Sequence, residues 1–211
     1  MGNSKTKTIK KVIHVKKDCL LKKTEKIMNL FVLSLCFAEC AQWMFDKHIS
    51  KMILETAQML CTTKRVLDPE GVDLQGHDIV YKLAHKNHPV TIWMRTSYAN
   101  YCWALDMVDA MHAEWKYRYD HPAETQHKSY VVCQWLRDHP PPLAAFPETG
   151  LTPFAQAMPD EYKCEGDAIK AYREYYQSPE KKRIAKWTKR QMPPWYRRTI
   201  SVPKVKHTGF I

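Results

Sequence analysis

The sequence predicts an all-α protein: a single compact domain built on two long helices, with a basic N-terminal arm and a basic C-terminal tail. Three observations carry that expectation. Only 6 of the 211 residues are Gly, and the hairpin dipeptides Asn-Gly and Asp-Gly do not occur. Apolar residues recur at three- and four-residue spacing over long windows, the period of a helix with one buried face. The 45% apolar content is enough for one sizeable core, and a chain of this length suits one domain with tails rather than two domains.

Along the chain, residues 1–27 hold nine lysines against Asp18 and Glu25, net +7, and read as an appended flexible arm with one short helix around residues 18 to 26. MNLFVLS, residues 28 to 34, is an apolar run fit for a buried strand or for the start of the domain. A long helix is expected from Ala38 to about Lys64, with Phe45, Ile49, Met52, Ile53, Met59 and Leu60 on its buried side. DPEGVDLQGHD, residues 68 to 78, is a loop. Pro89 suits the first turn of a second long helix of about thirty residues, with Asn87 or His88 near the cap. Its core face is Trp93, Tyr101, Leu105, Val108 and Met111 or His112.

Residues 120–163 hold a short helix, SYVVCQWLRD, inside a long irregular connection broken by DHPPPLAAFPETGLTP and by Pro159, and such connections are often functional. DAIKAYREYY is a helix capped by Asp167, and KKRIAKWTKR is expected to be basic and helical. Ordered structure should end at MPPWYRR. These readings divide the chain into an arm (1–27), a helical domain (28–196) and a tail (197–211).

Residues 180–211 hold ten Lys or Arg against Glu180, net +9, so of the formal net charge of +11 the body, residues 28–179, carries −5. Basic ends on an acidic body point to a polyanionic partner, because lysine–phosphate contacts release counterions and give affinity independent of sequence. An anionic membrane surface is also a polyanion. Met1-Gly2-Asn3-Ser4-Lys5-Thr6 fits the short N-myristoylation pattern, and the lysines of residues 1–27 would be the second signal that one acyl chain needs. No run approaches eighteen apolar residues and no secretory apolar core follows Met1. Seven Cys without a CxxC pair suit a reduced intracellular compartment and argue against a structural zinc.

Three constellations could carry chemistry. On a helix, Lys47, Lys51, Glu55 and Gln58 share one narrow face. That face is either a solvated stripe with an ordinary Lys51–Glu55 pair, or the wall of a groove with lysine as amine or phosphate contact and Glu55 as the carboxylate. The second is His85-Lys86-Asn87-His88-Pro89, then Trp93, Arg95, Asn100 and Tyr101. Pro89 breaks the geometry of a His85–His88 metal pair, so a helix start rich in donors reads better as an anion site, and no metal is expected. The third is Trp187, Lys189, Arg190, Trp195 and Tyr196, rings among cations that suit stacking on bases. No Walker loop, HExxH, nucleophile elbow or dinucleotide fingerprint occurs, and no cofactor is expected.

The order NLFVLS, then Asp46, Lys51, Glu55 and Gln58, then Asn87-His88-Pro89, Trp93 and Arg95, then Pro194-Trp195-Tyr196, resembles the pyrimidine-dimer DNA glycosylase (endonuclease V)-like family of small viral and bacterial helical proteins. The resemblance covers about residues 28 to 196. It implies a compact helical domain on damaged double-stranded DNA, in which an amine attacks the sugar C1′ to give an imine and a carboxylate with nearby cations stabilises it. It implies that the helix carrying Lys47, Lys51 and Glu55 holds the acid and its basic neighbours, and Trp195 and Tyr196 the aromatic C-terminal contact; with His48 where the family has its Glu, Glu55 is taken as the carboxylate by a different geometry and Lys51 or Lys47 as amine or phosphate contact. His48, Gln58, His88, Arg95, Asn100, Lys189 and Arg190 are then further nucleic-acid contacts.

This sequence departs from the family in two ways. Its best-known members use the free amine at the start of the chain, just before the segment matching Asn29 and Leu30, where this chain has residues 1–27. They also carry an Arg-Glu pair where this chain has Lys47-His48. The function expected is a DNA glycosylase or lyase acting on damaged or modified pyrimidines, in the cytoplasm or nucleus of a host cell or in a virion. Two alternatives are kept: a transferase that displaces pyrophosphate from modified thymine in viral DNA, and a non-catalytic nucleic-acid-binding or membrane-tethered accessory protein.

Overall fold

A run as apolar as MNLFVLS cannot stay in water. In the computed structural model, which describes residues 28–197, it runs extended through the interior with every residue buried and no strand beside it. Its polar groups are satisfied singly rather than by a ladder. Glu55 accepts from the Asn29 N–H (3.1 Å), Asn29 Oδ1 accepts from the Leu30 N–H (2.8 Å), and Arg173 Nε donates to the Leu33 carbonyl (2.9 Å). The arm, with its expected helix and acylation pattern, and the tail from residue 198 lie outside the described residues.

The helix expected from Ala38 is two helices, α1 (Phe37–Trp43) and α2 (Asp46–Leu67), parted by extended backbone at Met44 and Phe45. The cause is Arg118, whose side chain is 0% exposed. Its guanidinium donates to the carbonyls of Ala41 (3.3 Å), Gln42 (2.8 Å) and Met44 (2.7 Å), the acceptors orphaned at the end of α1, and to Asp46 Oδ1 (3.0 Å) at the start of α2. The residues expected on the buried side of α2 are at most 1% exposed, and each such aliphatic side chain contributes roughly 1.5–3 kcal/mol.

The stretch expected as a loop after α2 contains a helical turn, α3 (Pro69–Gly71), continued by a wider turn at Val72–Gly76. Asp68 caps it by accepting from the Gly71 N–H at 3.0 Å. Gly76 permits close packing, since a Cβ there would meet the Trp135 ring at 2.7 Å.

The pattern that starts at Pro89 is likewise two helices, α4 (Pro89–Thr96) and α5 (Tyr98–Tyr119). Ser97 is extended and caps α5 by accepting from the Ala99 N–H (3.1 Å). The loop at 148–149 takes the orphan donors: Tyr98 N–H donates to the Glu148 carbonyl and Ala99 N–H to the Thr149 carbonyl, both at 3.1 Å. The face expected to be core, from Trp93 to His112, is buried throughout.

SYVVCQWLRD lies in α6 (Lys128–Asp138), followed by an irregular connection to α7 (Ala168–Tyr176), which Asp167 caps by accepting from the Lys170 N–H at 2.8 Å. KKRIAKWTKR forms only the end of one short helix, α8 (Pro179–Lys182), and then irregular turns. Its polar groups are drawn to the start of α2 instead. Asp46 N–H donates to the Lys186 carbonyl (2.9 Å), the Asp46 carboxylate accepts from Thr188 N–H (2.8 Å) and Oγ1 (2.7 Å), and Trp187 Nε1 donates to the Trp43 carbonyl (2.8 Å).

The described residues form one all-α domain without strands. α2 packs against α4, α5 and α6, and α1 lies on α5. Among the described residues no helix is long and apolar enough to cross a membrane, and no three metal-ligating side chains converge.

Candidate active site

α2 carries its polar face from solvent into the interior. Lys47 is exposed, the Lys51 side chain is half exposed, Glu55 is 4% exposed and Gln58 is partly buried one turn further on. A carboxylate at this depth must be paired and hydrogen-bonded. Glu55 meets that need with Lys51 Nζ at 3.0 Å from Oε1 and the backbone N–H of Asn29 at 3.1 Å from Oε2. The stripe is therefore a charged face that ends beneath MNLFVLS.

Asn29 is fixed on all sides. Its Nδ2 donates to the Ala157 carbonyl (2.7 Å), and its Oδ1 accepts from Leu30 N–H while lying 3.1 Å from the Tyr172 hydroxyl. Residues 155–157, part of the irregular connection, are thus held against the segment. His88 reaches the same place from the start of α4. Its Nδ1 accepts from the Val90 N–H (3.2 Å), and its ring also hydrogen-bonds the backbone of Met28. Burial, with His85 nearby, lowers its pKa, and the bond to Met28 opposes that.

Near Lys51 and Lys181 stands His48, buried, with its ring stacked on Phe31 at 4.6 Å and Nδ1 2.6 Å from the Tyr176 hydroxyl. Burial, then Lys181 and Lys51, holds its pKa well below the ordinary imidazole value, so it is neutral at pH 7.

Lys181 has no counterpart among the residues expected from sequence. It lies in α8, where Ser178 accepts from its N–H (3.4 Å). Its Nζ is 4.8 Å from the centre of the Tyr175 ring, 5.3 Å from that of Phe31 and 3.8 Å from Glu180 Oε1. Burial lowers its pKa, opposed by Glu180, with Lys51 lowering it further and Glu55 raising it. Ser178-Pro179 is a legible helix start, but nothing local in sequence says that α8 folds back on Phe31.

The other expected residues lie apart from these contacts. Arg95 donates to the Lys86 carbonyl and ties down the turn before His88. Asn100 is buried and spends its amide on the Trp93 carbonyl (2.8 Å), Thr152 Oγ1 (2.7 Å) and Thr152 N–H (2.9 Å). Lys189 pairs with Asp120, and Arg190 with Glu114 at 2.8 Å. Tyr196 is 5% exposed among Phe45, Trp187 and Trp195, and Trp195 packs edge-on to Trp43 under Arg173.

A groove of about 570 Å³ is lined by Lys182, Lys186, Trp187, Arg190, Tyr196 and Arg197 and by no acid. Compared with protein-family models, curated proteins and solved structures, the chain finds no match. What the arrangement can do must be read from its own groups: a buried carboxylate paired with Lys51, with the Lys181 amine also within its electrostatic influence, is suited to pairing with a positive intermediate.

Proposed function

We propose that the chain binds double-stranded DNA and acts on it as a glycosylase or lyase for damaged or modified pyrimidines, through an imine. α2 and α5 are its two-helix scaffold. The arm, the tail and the groove lined by Lys186 and Arg197 are its phosphate contacts, and Lys47 adds a further anion contact. Glu55 supplies the carboxylate that stabilises the cationic sugar, with Lys51 beside it.

One observation carries this reading. The Glu55 carboxylate is buried and accepts from the N–H of Asn29, next to the position where the resembling family keeps its reacting amine. Keeping an ion pair at this depth costs desolvation that it seldom repays. The target base must leave the stack to reach such a centre.

The test is incubation of the full chain with duplexes carrying an abasic site or a pyrimidine dimer, beside an undamaged control, followed by strand analysis. Scission at the lesion alone supports the reading. Binding without scission, but with displacement of pyrophosphate from a pyrophosphorylated thymine, favours the transferase, for which the groove cations would hold the pyrophosphate. Binding with neither leaves an accessory protein.

A further inference from the structure

We propose that Lys181 is the amine that attacks the sugar, a role that rests on the glycosylase or lyase reading above and names the nucleophile within it. Lysine attacks carbon only when neutral, so the nucleophile has to be a desolvated amine beside another cation and within reach of the carboxylate. The three candidate lysines differ in those respects. Lys47 is exposed, and Lys51 is half exposed and engaged in the 3.0 Å pair with Glu55. The Lys181 side chain is 17% exposed, faces the rings of Phe31 and Tyr175, and meets a carboxylate, that of Glu180, only at 3.8 Å.

The charged and titratable groups around it are Glu180 on its own helix, Tyr175 on α7, and His48, Lys51 and Glu55 on α2. Burial is the largest influence and favours the neutral amine. Lys51 then has a distinct role: it neutralises Glu55 before reaction and repels a proton from Lys181.

At an abasic site the step balances as follows. The neutral Lys181 nitrogen forms a bond to C1′ of the open sugar aldehyde, and the carbonyl oxygen leaves as water with one proton from solvent and one from the amine. The product is a protonated imine whose positive charge faces Glu55. On an intact nucleotide the same attack breaks the bond from C1′ to the base, and the electron pair and a proton leave with the base.

The experiment is borohydride trapping with the full chain and a duplex bearing an abasic site. Hydride reduces the imine to a stable secondary amine, and peptide mapping locates it. An adduct on Lys181 of the unaltered protein is expected. Lys181→Arg, shown folded by its thermal melt and still binding duplex, should trap on the order of 100-fold less or lower. The trapping rate should also reach half its maximum below the pH at which an ordinary lysine titrates. An adduct on Lys51, on Lys47 or on a terminal amine overturns the role of Lys181 and leaves the imine reading standing. No adduct, with duplex bound, overturns both.

Discussion

Burial changes the chemistry of single side chains in this protein far from Glu55 as well as near it. His112 stacks on Tyr130 with ring centres 3.6 Å apart, and burial, with Lys116, His127 and His121 nearby, lowers its pKa to about 4. The folded state therefore binds fewer protons than the unfolded chain between the ordinary value of 6.5 and about 4. That stability is complete above pH 6.5 and is lost as pH falls toward 4. The melting temperature should drop across this window, and His112→Phe should flatten the drop. An equal drop in the variant would assign the effect to other groups, His127 first, since burial lowers it too. Spacing alone put Met111 or His112 on the core face of its helix; the partner stacked at 3.6 Å, Tyr130, comes from α6 and could not be read from the sequence.

At the scale of elements, periodicity told which side chains are buried but not where helices stop. Both long patterns are interrupted by a distant group that satisfies a helix end better than another turn would. Arg118 does this between α1 and α2, and the loop at 148–149 does it between α4 and α5. KKRIAKWTKR departs from the expected helix for the same reason, because Asp46 competes for its backbone. Arg118 also pairs with Glu114 at 2.5 Å, so its loss leaves the buried Asp46 carboxylate without a charge partner and Glu114 with Arg190 alone. Arg118→Met should cost about 3–5 kcal/mol in urea denaturation. A loss below about 1 kcal/mol, the scale of a surface pair, would mean that the network does not hold α1 to α2.

For the whole molecule, the legible part of the candidate site was its α2 half and His88. Lys51, Glu55 and His88 were singled out by residue type, and they converge on Met28 and Asn29. Lys181 was not legible, because its environment is made by Phe31, 150 residues earlier in the chain. Three cations expected at DNA are spent within the protein: Lys189 on Asp120, Arg190 on Glu114 and Arg95 on the Lys86 carbonyl. Phosphate contacts should then come from the ends of the chain and from Lys186 and Arg197 in the groove. The plot of log affinity for duplex against log salt should lose about 0.9 in slope for each arm lysine on a phosphate when residues 1–27 are removed. An unchanged slope would take the arm off the DNA, and binding to anionic vesicles would then be the measurement for it.

Glu55 is where these scales meet, and one comparison addresses it directly. Single-turnover scission of an abasic duplex by the full chain should fall by on the order of 100-fold or more in Glu55→Gln, a substitution that keeps shape and removes charge, while Kd for the duplex is unchanged. Equal scission by both proteins would show that the carboxylate beneath MNLFVLS takes no part in the chemistry.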